Sequence, residues 1–251
     1  MGGKKSEDGN EIHSGGLHGV HVSGEGAAGI FSSNHIYGNK GAGVMVEGAA
    51  KPEFTENEVD GNGVGVSMAG SENKCSVQKN EIHDNQIGCE ISDEAEPDIN
   101  DNVFTANKRA VVAHKGGKGK VSSNVVVGPG VGVEISTGAE SEINENEISE
   151  CDIAISYTNG GAGKATKNEL TDNVRGVTVS GKETTECLVV ENEISKSKVA
   201  AIVASANAAG TISKNTISDN TVGIRVTTGA DPTVQENVLE ENRVGIEVCD
   251  A

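Results

Sequence analysis

An asparagine opens the same short phrase eleven times along this 251-residue chain, at intervals of 22 to 24 residues. The phrase is Asn-x-(Ile/Val/Leu/Phe), answered eight or nine residues later by (Gly/Ala)-(Val/Ile)-x-(Val/Ile). Its asparagines are Asn10, Asn34, Asn57, Asn80, Asn102, Asn124, Asn146, Asn168, Asn192, Asn215 and Asn237. A period held that closely over the whole length is the mark of a solenoid, whose coils complete one another's core.

Three apolar columns accompany the asparagines. Three residues before them stand Phe31, Phe54, Val77, Ile99, Val121, Ile143, Ala165, Val189, Ile212 and Val234. Two residues after come Ile36, Val59, Ile82, Ile148, Leu170, Ile194, Ile217 and Leu239, and the closing phrase adds period-two pairs such as Val44 with Val46 and Ile224 with Val226. Period two in β-branched residues predicts strands, and no segment sustains helical spacing. Short strands, glycine corners and a period near 22 together predict an all-β parallel β-helix of about eleven coils. With coils about 4.8 Å apart, the rod would be on the order of 50 Å long. Residues 1–9 are expected to be a flexible segment, and 10–251 one domain.

The odd spacing from the −3 column to the asparagine requires a bend there. Asparagine tolerates the left-handed conformation such a bend needs, and its amide can donate and accept along a stack of like amides. Asn34 through Asn237 are therefore expected to form a structural ladder. A second set five residues on, Asn39, Asn62, Asn85, Asn107, Asn173, Asn220 and Asn242, lapses at Gly15, Pro129, Cys151 and Ser197. Five residues before each ladder asparagine, Pro52, Pro97, Ser141, Cys187 and Pro232 alternate with Gly29, Cys75, Gly119, Gly163 and Gly210, so the full unit is two coils, about 45 residues. Charge alternates as well just before the asparagines (Glu56, Lys79, Asp101, Glu145, Lys167, Glu191, Lys214, Glu236), which reads as register control.

The phrase Asn-x-Ile-x-x-Asn-x-x-Gly-Ile-x-Val, with corners such as Gly229 to Pro232 and Asn159 to Gly163, resembles the parallel β-helix repeat family with a pectin-lyase-like fold. The two-coil alternation is most similar to the β-helix domain of F-box-only ubiquitin-ligase receptors and their microbial and protist relatives. The resemblance implies a right-handed helix and recognition of a protein partner. No F-box-like helical segment precedes the repeats, so ligase activity is not implied.

Composition narrows the function. A β-helix that cleaves or epimerises polyuronides would need a cationic groove and a base beside the reacting carbon. This chain carries a net charge of −18, and no aligned cluster of Arg, Lys and Asp over adjacent coils is apparent. His13, His18, His21, His35, His83 and His114 occupy mostly different columns, so neither a metal site nor a charge relay is assembled from them, coil one being the place to look for a local cluster. Of Phe31, Tyr37, Phe54, Phe104 and Tyr157, only Tyr37 is expected to project outward, too few rings for a sugar-stacking platform. The charge excludes nucleic acid. The outward residues of the last strand read His21, Met45, Ser67, Glu90, Val112, Glu134, Ser156, Thr178, Ile202, Arg225 and Glu247, which is no threonine array for ice.

What the surface offers is acid. Glu11, Glu58, Glu81, Glu147, Glu169 and Glu193 directly follow ladder asparagines. Glu58, Glu81, Glu147, Glu169 and Glu193 form a candidate face for a basic protein, or for Ca²⁺, which prefers oxygen ligands. The expected role is a non-catalytic structural or protein-interaction scaffold within a larger assembly, the alternative a carbohydrate-active protein: a lyase, an epimerase or a glycan-binding module. Five cysteines without a C-x-x-C pair indicate neither disulfides nor zinc, and no secretory or membrane-spanning segment is evident, which points to an intracellular, cytoplasmic or cytoskeletal setting. Met1-Gly2-Gly3-Lys4-Lys5-Ser6 fits the N-myristoylation pattern with Gly2 as acceptor, the one route to a membrane. The end at Ala251 lacks a polar cap, so a further subunit or further sequence is expected to cover the last coil.

Overall fold

A computed structural model describes residues 9–184 and 186–250; Gly2 and most of the expected N-terminal segment lie outside them. Among the described residues there are only strands, gathered into three parallel sheets of 11, 11 and 10 strands. Sheet A takes the short strand after each ladder asparagine, from Glu11–His13 to Val238–Glu240. Sheet B takes the strand of the closing phrase, from Val20–Ser23 to Val244–Cys249, and sheet C the strand before the next asparagine, from Ala28–Ser32 to Asp231–Gln235. Every strand pairs with its equivalent one coil away, so the sequence period becomes the sheet register directly: Ile82 lies beside Val59 and Phe104, and Ile99 beside Val77 and Val121. No helix in this region is long and apolar enough to cross a membrane.

The inward columns make one continuous core. Ile36, Ile82, Phe104 and Ile148 from sheet A meet Val44, Ile91, Ile135 and Tyr157 from sheet B and Phe54, Ile99 and Ile143 from sheet C. Each is at most 2% exposed. Like side chains stack along the axis, as in the Phe31 and Phe54 rings, 4.8 Å apart and nearly parallel. In sheet B the outward column differs from expectation at one place. Val203, not Ile202, pairs with Thr178 and Arg225, because the loop before it is longer; Ile202 is fully buried.

The asparagines do turn the corner, but not by the route expected of them. The left-handed residue is the one before each asparagine: from Ser33 to Glu236 its φ lies between 54° and 59°. Each non-glycine residue there costs about 1–2 kcal/mol. The asparagine itself stays free to point its amide inward, where it closes around that residue. Asn80 Nδ2 donates to the carbonyl of Gln78 at 2.9 Å and to that of Phe54 one coil back at 3.0 Å. Its Oδ1 meanwhile accepts from both the backbone N–H and the side-chain amide of Asn57, each at 2.9 Å. The same relay passes from Asn10 to Asn237. The second set repeats it from Asn39 through Asn62 and Asn85, whose backbone N–H reaches Asn107, and again between Asn220 and Asn242.

These bonds, not the charges beside them, hold the coils in step. In the alternating charge column only Lys214 and Glu236 approach within 4.0 Å among the described residues, at 3.9 Å and mostly exposed. Such a pair contributes about 0–1 kcal/mol, so register control by charge is not what this column does. The alternation five residues before each asparagine is steric. Gly163 has φ of 117°, and a Cβ there would lie 2.1 Å from the Ser141 carbonyl oxygen. At Gly163 the crowding requires glycine, whereas Ser141 fits on the coil below, and at Cys75 of the same set a side chain is accommodated.

Replacing Asn124 by Asp tests the ladder. The new carboxylate would face the carbonyls of Ile99 and Ser122 and Oδ1 of Asn146, all acceptors at 3.0 Å. Buried without donors on that side, its pKa is raised above the unfolded value, so the penalty is full at neutral pH and shrinks as pH falls through the folded pKa. Urea unfolding of Asn124→Asp at pH 7 is expected to show a loss of about 3 kcal/mol or more relative to wild type, with a smaller gap at pH 4. Equal stability at pH 7 would contradict this account.

Candidate functional sites on the lateral faces

Because the strands are in register, each outward face is a grid whose columns can be read across coils. On sheet A the first four coils present two columns in which every side chain is titratable. Glu11, His35, Glu58 and Glu81 line one, and His13, Tyr37, Asp60 and His83 the other. The Tyr37 ring stacks between His13 at 4.7 Å and His35 at 4.2 Å. His35 Nε2 lies 2.6 Å from Asp60 Oδ1 and 4.0 Å from Glu58 Oε1. From the next coil His83 Nε2 comes within 3.5 Å of the same Glu58 oxygen, while its Nδ1 meets Asp84 at 2.8 Å. Lost hydration and then the carboxylates of Glu11 and Asp60 push the Tyr37 hydroxyl above its usual pKa. At His83 partial burial acts downward, but Asp84, Asp60 and Glu58 outweigh it and the imidazolium is favoured.

The histidines expected to stay dispersed are thus brought together in part: three of the six, His13, His35 and His83, share this patch. They sit one and three residues after a ladder asparagine, and reading those two columns together would have revealed the block. His21 and His114 pair instead with Glu47 and Glu90 on sheet B.

The acidic column is split. Glu58 and Glu81 belong to the histidine patch, and Val103 and Val125 interrupt the column. Glu147, Glu169 and Glu193 then lie side by side on three successive coils, and among the described residues no Lys, Arg or His nitrogen comes within 4.0 Å of them.

A second feature lies on sheet C, four residues before the ladder asparagines. Asp98, Lys120, Glu142 and Lys164 are neighbours on four consecutive coils, followed by Leu188. This is an aligned charged column of the kind the sequence reading did not identify; it spans the coils before Asn102 to Asn168 at a spacing of 22. With Lys118, Glu140 and Glu186 beside it, the column borders an open groove of about 430 Å³. The floor of the groove is formed by the strands at Gly119, Ser141 and Gly163. Lys120 and Lys164 lie in register on either side of Glu142, and no two of these lysines and glutamates approach within 4.0 Å.

The cysteines are placed as packing residues. Cys75, Cys89, Cys151 and Cys187 are buried and Cys249 is exposed, all as free thiols. Burial pushes the thiols of Cys151 and Cys187 up to about 12, and those of Cys75 and Cys89 higher still. Titration of the native protein with an aromatic disulfide is expected to release one equivalent of thiol from the five cysteines, and all five after unfolding. More than one fast-reacting thiol in the native protein would contradict the packing described.

Comparison with known proteins agrees with the architecture. A solved structure of similar fold is the A-module of the mannuronan C-5 epimerase AlgE6 of Azotobacter vinelandii, which superposes with a TM-score of 0.64 over 97% of this chain and 91% of that one at 13% identity. No curated protein matches the sequence. The family profile for a right-handed β-helix region matches residues 2–126 and 108–244. With the register of the three sheets and the asparagine relay, that match establishes that the chain belongs to the right-handed β-helix region family.

Proposed function

We propose that this protein is a non-catalytic glycan-binding β-helix whose sheet C groove takes an acidic saccharide. The observation that carries the reading is the groove itself, where Lys118, Lys120 and Lys164 stand beside Glu140, Glu142 and Glu186. Lysine ammoniums suit the carboxylates of a uronide, and glutamates accept hydrogen bonds from its hydroxyls. Leu188, 41% exposed, offers an apolar contact for a ring face. Three lysines set against Glu140, Glu142, Glu186 and Asp98 matter in a chain of net charge −18, because they leave a strip far less acidic than the chain as a whole, which an anion can approach. The similarly folded epimerase module, named for mannuronan, suggests the polyuronides as the first class to try.

Catalysis has less support. Proton abstraction beside a carboxylate needs a base, an acid and a cation at one point. Here His13, His35, His83 and Tyr37 occupy sheet A at the first four coils, among carboxylates, whereas Lys118, Lys120 and Lys164 line sheet C further along the rod. The two sets face different directions.

A second reading, a scaffold for a basic protein, draws on the stacked Glu147, Glu169 and Glu193, whose like charges lie opposite one another without a cation. The resemblance of the two-coil alternation to F-box-only receptors favours it too.

Calorimetry against mannuronan, polyguluronate, polygalacturonate and neutral glycans tests the first reading. One polyuronide is expected to bind, and Lys120→Glu with Lys164→Glu to weaken it at least tenfold without altering the circular dichroism spectrum. Binding unaffected by those changes, or no binding by any uronide, would overturn it. In the latter case, partner capture that is lost on substituting Glu147, Glu169 and Glu193 by Lys would support the scaffold.

A further inference from the structure

We infer that the histidine patch on sheet A is a binding site for a divalent transition-metal ion of the zinc class, held by His35, Glu58 and Asp60, with His83 at its edge as a further ligand. The ligand atoms of His35, Glu58 and Asp60 all lie within 4.8 Å of one another. Tetrahedral zinc, with bonds of about 2.0–2.1 Å, needs its ligand atoms roughly 3.3 Å apart. The separations here fall on both sides of that figure: 2.6 Å from His35 Nε2 to Asp60, 4.0 Å to Glu58, and 3.5 Å from Glu58 to His83 Nε2. An ion entering between them would have to part the first pair and draw Glu58 inward. Neighbouring strands fix the backbone positions of all four residues.

Two independent features point to a ligand. At the edge of that group His83 Nε2 lies 3.5 Å from Glu58 while its Nδ1 is held by Asp84 at 2.8 Å, and a carboxylate behind the imidazole is the usual outer partner of a metal-bound histidine. The His35 ring is clamped flat against Tyr37, which is itself stacked on His13, so the imidazole is oriented before any ion arrives. One imidazole with two carboxylates, and a second imidazole beside them, suit zinc and its first-row neighbours. Calcium takes six to eight oxygens, which this site does not supply. The inference is independent of the glycan reading, since the groove lies on another sheet.

The experiment uses the full chain without a histidine tag. Titration with Zn²⁺ and Co²⁺ is monitored by calorimetry and thermal unfolding, and Co²⁺ also by its visible absorption. One equivalent is expected to bind, to raise the unfolding temperature, and with Co²⁺ to give tetrahedral d–d bands lacking the near-ultraviolet thiolate band that Cys249 would produce. His35→Gln and Asp60→Asn should each weaken binding at least tenfold and His83→Gln to a lesser extent. His114→Gln, which alters a different His–Glu pair, should leave it unchanged. Absence of binding by the wild-type protein, a thiolate band, or affinity that survives both His35→Gln and Asp60→Asn would overturn the assignment, as would preference for Ca²⁺ over Zn²⁺. If either variant fails to fold, the wild-type Co²⁺ spectrum and His83→Gln decide the matter.

Discussion

The relay of asparagine amides running through the corners of the rod is the interaction on which the remaining structure depends. A coil of 22 to 24 residues must turn sharply where sheet C gives way to sheet A. The turn forces a left-handed residue at each level, including charged ones such as Glu56, Lys79 and Lys167. Those residues are costly by themselves, about 1–2 kcal/mol each. The following asparagine offsets the cost by satisfying the carbonyls that the turn would otherwise strand, both in its own coil and in the coil below. Its oxygen then accepts from the asparagine beneath. Because every link is made between equivalent residues, a slip by one position would break all of them at once. Register therefore follows from the ladder, and the apolar columns follow from register.

Among the described residues, a rod held in register in this way has only short connections between its strands. Whatever recognition it performs must come from columns of outward side chains, and the functional chemistry becomes a question of which columns carry which charges. The −18 net charge describes the chain as a whole but not its faces. Sheet C bears a strip with equal numbers of lysines and glutamates above a floor of Gly119, Ser141 and Gly163. The first coils of sheet A bear histidines set among carboxylates, and its later coils bear bare glutamates. Each surface suits a different class of ligand, and they lie along a single rigid rod.

Most of the architecture was legible in the sequence, because the spacing of Asn34, Asn57 and Asn80 and the columns around Ile82 and Ile99 are themselves the register. Two local matters were not. The residue carrying the positive φ precedes the asparagine, and only the geometry of the amide reaching back across it, as from Asn80 to Gln78, explains why. The displacement of Ile202 by Val203 arises from one longer loop that a fixed period does not anticipate. The sites were legible in principle but hidden by the choice of column. Lys120, Glu142 and Lys164 recur at a spacing of 22, four residues before the asparagine, and His35 with Asp60 becomes a pair only when two columns are laid side by side.

The central claim is that neighbouring ladder amides stabilise one another directly, and not merely through separate backbone contacts. A double-mutant cycle on Asn124 and Asn146, each replaced by Ala singly and together, measures this by urea unfolding. The two amides share two bonds, from the Asn124 backbone N–H and from Nδ2 to Asn146 Oδ1, both at 3.0 Å. A favourable coupling of about 1 kcal/mol or more between the two positions is the predicted result. Losses that simply add, to within about 0.3–0.5 kcal/mol, would contradict it.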